Sequence, residues 1–301
     1  LHGQFKKRWL TLRAWHKEQV VGIFSKSIGM AHMGAEHDVA DPAVPTRKLL
    51  ICTAPRTASS SLSKLIRTSG LGQVSEYCST LAERRFRMRT NSRVSVSKSK
   101  LSAEYIRAIM PLRTVQGVFA AKIQHAHIKR TIRAGLAREL LDGADLVFLF
   151  RRDLSDQAVS YTVSLLTDNW GRRDTDIGPT SFSDARLRRE YIRQLNYLAY
   201  EYSEWQAIFS SLGVSYTELP SEDFIKQPAQ TVRNLFQLVD ASVDEVALVE
   251  AVGKMDRYPS NLQLKQHLRD VIVPSVDHHE VLQARYVAAD QLRLGIRNLF
   301  G

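Results

Sequence analysis

Four short apolar runs, each followed by a segment of helical periodicity, confine this chain to a narrow set of folds. Lys48–Thr53 and Ala144–Phe150 are almost continuously apolar, as strands buried on both faces are. Val115–Ile123 and Val214–Glu218 read as two further strands. A helix opened by Ser59-Ser60-Ser61 places Leu62, Leu65 and Ile66 on one face and closes at Gly70. Ile128–Leu141 carries Ile128, Ile132, Leu136 and Leu140 on one face, and a helix runs through Gln157–Leu166. A long helix follows over Ser183–Leu212, then shorter ones over Pro228–Val239 and Val243–Val252. Strands alternating with helices predict a three-layer α/β/α domain with a mostly parallel sheet.

Charge divides the chain differently. The 301 residues carry 42 Lys and Arg against 31 Asp and Glu, a net charge of +11. Most of that excess sits in two segments. Residues 1–47 hold Lys6, Lys7, Arg8, Arg13 and Lys17 among Trp9, Leu10, Leu12, Trp15, Val20, Ile23 and Phe24 at roughly helical spacing. They form a basic extension and linker, either an amphipathic helix on a membrane or partner, or a helix packed on its own domain. Residues 84–100 hold seven Lys and Arg and no acid, and read as an exposed, mobile basic loop within a domain spanning 48–301. Peripheral contact with a membrane through 1–34 and 84–100 is expected, with nucleic acid as the competing partner. Only Phe86 interleaves the basic run, where stacking platforms would be needed, so nucleic acid is disfavoured.

Other classes drop out on simple grounds. No apolar stretch approaches the roughly 20 residues of a membrane-spanning helix. Cys52 and Cys78 make neither a disulfide framework nor a zinc site. The opening residues show no signal-peptide pattern, so the expectation is a cytoplasmic protein, peripheral at most on the inner face of a membrane. A homodimer is left open.

In an open parallel sheet, ligands bind at the carboxyl ends of the strands. Two such ends carry chemistry. Pro55-Arg56-Thr57-Ala58-Ser59-Ser60-Ser61 joins a strand to a helix, and helix-start amides with hydroxyls make an anion cradle. Serine capping of the helix is the equally simple alternative. The loop has neither the lysine nor the two glycines of a Walker A motif, which disfavours an ATP-driven kinase. At the second end, Arg151-Arg152-Asp153 precedes Gln157-Ala158-Val159-Ser160, placing a guanidinium and a helix hydroxyl where both can grip one phosphate.

Together these segments resemble the trehalose 2-sulfotransferase-like group of sulfotransferases. Leu49 to Leu62 resembles the group's 5′-phosphosulfate loop, and Arg151 to Ser160 its 3′-phosphate site. Gly70-Leu71-Gly72 with Ser75-Glu76-Tyr77, Gly117 to Lys122, Trp205 with Gly213-Val214, and Pro228 with Thr231-Val232 extend the likeness over roughly 48–290. The resemblance implies a fold akin to P-loop kinases and a donor, 3′-phosphoadenosine 5′-phosphosulfate. It also implies sulfuryl transfer to a hydroxyl of a carbohydrate or glycolipid, by in-line displacement without a metal. Ala58 stands where the group usually has glycine.

The resemblance also implies roles. Glu76 is the general base, and Arg56 neutralises the transferring group beside Thr57, Ala58, Ser59, Ser60 and Ser61. Either Arg151 or Arg152 takes the 3′-phosphate with Ser160. Lys265 and Gln266 match a segment that closes over the nucleotide. Lys122 assists the bridging oxygen, orients the acceptor, or is a surface lysine at a strand end. His125 and His127 line the acceptor pocket or supply a second base. The competing function is a nucleic-acid- or membrane-binding protein on a degenerate nucleotide-binding fold.

Overall fold

The computed structural model describes residues 33–91, 95–170, 178–255 and 261–275. Among them five strands form one sheet in the order β2-β3-β1-β4-β5: β1 Arg47–Thr53, β2 Thr114–Val115, β3 Val118–Gln124, β4 Ala144–Phe150 and β5 Thr217–Pro220. β1 lies at the centre, parallel to β3 and β4, and β5 runs parallel to β4. Thr53 is level with Gln124 and with Leu149, so the carboxyl ends of β1, β3 and β4 finish along one edge.

The protein is therefore α/β with a mostly parallel sheet, and the exception has a local cause. The apolar run over Val115–Ile123 is two strands rather than one. Gln116 (φ 52°) and Gly117 (φ 75°) turn the chain over, pairing β2 antiparallel to β3. Positive φ at both central residues is the requirement of the tight hairpin turn whose twist suits paired strands. Gln116 also clamps its surroundings, donating to the Gly70 and Ser242 carbonyls and accepting from the Ser242 amide.

Helices cover both faces of the sheet. α1 (Ser59–Ile66) is followed by a wider turn, Arg67–Leu71, where Gly70 takes φ 112°. α2 (Thr80–Arg89) and α3 (Ala103–Leu112) precede the hairpin. α4 (His125–Arg133) and α5 (Ala137–Leu141) replace the single helix expected over Ile128–Leu141, because the chain turns at Gly135 (φ 73°). α6 (Leu154–Thr167) and the long α7 (Asp184–Leu212) come next. α8 (Ser221–Lys226), α9 (Pro228–Leu238), α10 (Glu245–Gly253) and α11 (Leu262–His267) complete the described set. α8 was not foreseen, since Ser221–Lys226 has one buried apolar residue, Phe224, and no period to read. The fourth strand begins at Thr217 instead of Val214.

Alternation along β1 sorts the core. Leu50 and Cys52 face Trp205, Ile208 and Phe209 of α7, whereas Leu49 and Ile51 face Leu62, Leu65, Val232 and Phe236. Trp205 is anchored by its indole N–H, which donates to the Thr53 carbonyl at 3.2 Å. A third cluster joins α6, α7 and α11 through Tyr161, Tyr191, Leu198, Leu264 and Leu268. Full burial of each such side chain contributes about 1.5–3 kcal/mol.

The basic segment differs from its expected form. Residues 84–89 belong to α2, where Phe86 and Arg87 are buried. Arg87 pairs with Glu83 at 3.3 Å, and Arg130 of α4 meets the same carboxylate. Arg89 pairs with Asp38 at 3.0 Å and lies over the Phe86 ring. The acid that neutralises this run, Glu83, stands one residue before it. The mobile-loop expectation is thus corrected for 84–89, while residues 92–94 lie outside the described residues.

The stretch before β1 is also fastened down. Met33 is buried in the core, and Asp38 receives both Arg89 and Arg113, the latter at 3.0 Å. The amphipathic pattern within residues 1–32 lies outside the described residues. Among those described, no helix is long and apolar enough to cross a membrane.

Candidate functional site at the carboxyl edge of the sheet

The loop after β1 is built around two left-handed residues. Arg56 has φ 66° and Ala58 φ 60°, conformations that cost a side-chain-bearing residue roughly 1–2 kcal/mol each. Ala58 is the N-cap of α1; its carbonyl accepts from the Ser61 and Leu62 amides, and no serine side chain caps the helix. Serine capping is therefore not what this loop does. The amides of Thr57, Ala58, Ser59 and Ser60 meet no acceptor among the described residues, as the first turn of a helix leaves them. Thr57 is fully buried, and its hydroxyl is turned inward to Thr53 Oγ1 (2.5 Å) and the Ala54 carbonyl (3.2 Å). Ser59 and Ser61 are half-buried and Ser60 is exposed.

Arg56 connects the two strand ends. Its Nε donates to Ser160 Oγ of α6 at 3.2 Å, and its Nη1 donates to the Trp170 carbonyl at 3.1 Å. Neither partner carries charge. Burial, then the Arg151 charge, pushes Arg56 down to about 10. Gln157 secures the geometry: its Nε2 donates to the Pro55 carbonyl at 2.6 Å, and Tyr202 donates to its Oε1 at 2.8 Å.

Three more cations gather here. Lys265 of α11 is only 4% exposed and is pushed down to about 8 by burial, then by the charges of Arg56 and Arg269. Arg151 and Arg269 share Asp156. Asp153 Oδ1 caps α6 by accepting from the Asp156 amide at 2.8 Å. Arg151 and Arg152 differ in their surroundings: the Arg151 charge acts on Arg56 and Lys265. Arg152 is exposed and forked onto Asp223 with both bonds at 2.7 Å. Gln266 is also exposed and donates to Asp270 at 2.9 Å. Arg152 and Gln266 thus lie outside the cluster that Lys265 joins.

A second cluster forms at the end of β3. The chain at Ser75 bridges to Ala121, and the Lys122 amide donates to the Ser75 carbonyl at 2.9 Å. This puts Glu76 over the outgoing strand. Lys122 Nζ lies 2.9 Å from Glu76 Oε1, Gln124 Nε2 donates to the same oxygen at 3.2 Å, and His127 Nε2 stands 4.0 Å from Oε2. Burial raises the Glu76 carboxyl, but Lys122, His127 and Gln124 outweigh it and hold it below its usual range. Burial pushes His127 down to about 4, with Lys122 and His125 adding to the shift against the pull of Glu76. Lys122 is accordingly ion-paired within this cluster rather than a free strand-end lysine.

His125 belongs to the same edge but faces α7. Its Nδ1 lies 2.5 Å from Glu201 Oε1, and Tyr200 packs edge-on at 5.6 Å. Glu201 and Glu204, which pairs with Lys129, are both buried. Sequence reasoning missed Glu201, Asp156, Arg269 and the Trp170 carbonyl. A carboxylate in a long, mixed-charge helix looks like a solvated face until its partner is known. Among the described residues no three His, Cys, Asp or Glu side chains are grouped to hold a metal.

The edge thus carries a cation-rich anion cradle at β1 and β4, and a carboxylate–lysine–histidine cluster at β3. Such a pairing can bind a multiply charged anion and meet a hydroxyl beside it. No known protein-family model matches this chain, and no curated protein matches it either.

Proposed function

We propose that this chain is a sulfotransferase that moves a sulfuryl group from 3′-phosphoadenosine 5′-phosphosulfate to a hydroxyl of a carbohydrate or glycolipid. The observation that carries the reading is the 3.2 Å contact of Arg56 Nε with Ser160 Oγ. It joins the two strand ends that separately resemble the phosphosulfate loop and the 3′-phosphate site. The fold akin to P-loop kinases is part of this proposal, supported by the parallel order β3-β1-β4-β5 with the loop leaving central β1.

The donor brings phosphate, phosphosulfate and adenine, and the chain supplies the counter-charges. Arg151 with Ser160 receives the 3′-phosphate. Arg56, Lys265 and the amides of residues 57–60 receive the phosphosulfate. In-line displacement spreads charge over the equatorial and leaving oxygens, where preorganised donors stabilise it. A base at the β3 edge takes the acceptor's proton, and Glu76 is the residue that the resemblance points to. Lys122 orients the acceptor or meets the bridging oxygen.

Titration calorimetry with adenosine 3′,5′-bisphosphate, the donor's product, tests the reading. Tight binding that survives 0.5 M salt is expected, as an enclosed multi-point site differs from backbone electrostatics. Binding abolished by that salt, with equal affinity for single-stranded nucleic acid, would sink the reading. Against the competing nucleic-acid reading, Arg87 and Arg89 of the basic region are paired with acids.

A further inference from the structure

Glu76 is poorly suited to keep the proton it would remove. Lys122, Gln124 and His127 all face its carboxylate, so the protonated acid is a strong one and the carboxylate a weak base. His127 offers no substitute. Its Nδ1 accepts the Gln124 amide N–H at 3.2 Å, which leaves its hydrogen on Nε2, the nitrogen turned toward Glu76.

His125 is held the opposite way. Its Nδ1 is buried, 2.5 Å from Glu201 Oε1, though the ring is tilted off the line of an ideal hydrogen bond. Two lone pairs would repel at that distance, so the hydrogen sits on Nδ1. Glu201 is 1% exposed and also receives the Tyr197 hydroxyl. Tyr200 packs edge-on against the ring and restrains its plane. In the neutral ring with its hydrogen on Nδ1, the lone pair is on Nε2. The side chain is 11% exposed and Nδ1 has none of that exposure, which leaves it to the other side-chain atoms. A buried carboxylate behind one imidazole nitrogen, with the other nitrogen turned to the reacting hydroxyl, is an arrangement that orients a histidine for proton abstraction.

We propose that His125 takes the acceptor's proton, with Glu201 as its positioning residue, while Glu76 orients the hydroxyl and Lys122. The proposal rests on the sulfotransferase reading and assigns the base within it. The acceptor O–H bond breaks and its proton moves to Nε2 of His125. The acceptor oxygen forms a bond to sulfur, and the bond from sulfur to the donor's phosphate oxygen breaks. The electron pair leaves on the 5′-phosphate of adenosine 3′,5′-bisphosphate. Glu201 balances the imidazolium until the proton passes to solvent.

The experiment uses the full chain with water as acceptor, following sulfate release from the donor, beside calorimetry with adenosine 3′,5′-bisphosphate. His125→Gln is expected to lower release by about 100-fold or more, the range of a lost acid–base group, with product affinity unchanged. Glu201→Gln is expected to lower release by about tenfold, Glu76→Gln by less than His125→Gln, and added imidazole to restore His125→Gly. Nitrogen-15 NMR is expected to place the hydrogen of His125 on Nδ1 in the wild type and to show a mixture in Glu201→Gln. Release within twofold of wild type in His125→Gln, or an Nε2–H tautomer in the wild type, overturns this assignment alone. A wild-type chain that neither binds the bisphosphate nor turns over the donor overturns the sulfotransferase reading and this assignment with it.

Discussion

Arg56 and Ser160, 104 residues apart in the chain, meet at 3.2 Å and make a single site of two strand ends. The other Arg56 partner is the Trp170 carbonyl, so no carboxylate among the described residues is bonded to this guanidinium. Arg56→Met should weaken adenosine 3′,5′-bisphosphate binding by about 1.5–3 kcal/mol, the range for hydrogen bonds to charged groups. Calorimetry measures it. An unchanged dissociation constant would remove Arg56 from the anion site.

Ala58 bears directly on stability. At φ 60° it holds a conformation that glycine adopts without penalty. Ala58→Gly relieves roughly 1–2 kcal/mol of local cost and gives back about 0.4–1 through the freer unfolded chain. A net gain of about 0–1.6 kcal/mol is expected in urea unfolding, and Ala58→Val should lose stability. A marked loss in Ala58→Gly would show that the methyl group's packing outweighs its strain.

Lys265 makes anion binding sensitive to alkali. Its pKa is pushed down to about 8 by burial and then by Arg56, so it loses its charge over a range where a free lysine keeps it. Affinity for the bisphosphate should fall as pH rises through about 8, with proton uptake on binding near that pH. Calorimetry in two buffers of different ionisation enthalpy reads the uptake directly. Lys265→Met should remove both effects; an unaltered pH dependence in that variant would exclude Lys265 as the source.

Acid should act through His127. Its folded pKa of about 4 lies below its ordinary 6.5, so the unfolded chain binds the proton first. Stability from this residue is full above 6.5 and is lost as pH falls toward 4. Glu76, also held low, loses its own contribution further down as it is protonated. Urea melts from pH 7 to pH 4 should show a shallower decline in His127→Gln than in the wild type. Parallel declines would contradict the neutral, buried imidazole.

Glu83 neutralises two buried arginines. It is 1% exposed, with Arg87 5% and Arg130 3% exposed beside it. Glu83→Ala removes the buried carboxylate that both cations share, although Arg87 keeps the exposed Glu104 at 3.7 Å, and should cost about 3–5 kcal/mol in urea unfolding. A loss under about 1 kcal/mol would mean that water or other acceptors already serve these guanidinium groups.

The strands were readable because burial on both faces writes itself as unbroken apolar runs, as in Leu146 to Phe150. The loop after β1 was readable as a strand-to-helix connection because its signals lie in consecutive residues. What escaped was relational. The turn at Gln116 and Gly117 interrupts an apolar run without changing its composition. Glu201 and Glu204 stand in a helix rich in arginine and tyrosine, and only the arrival of His125 and Lys129 shows that they are internal. Arg87 and Arg89 looked solvated because their acids, Glu83 and Asp38, fall outside the window in which charges were compared.

The position of Lys265 has a consequence for synthesis. Among the described residues the last strand ends at Pro220, whereas α11 begins at Leu262. A nascent chain can therefore complete its sheet before Lys265 and Arg269, the last two cations of the cluster, have been made. The clustering of cations at the carboxyl edge is thus completed only after the sheet has formed.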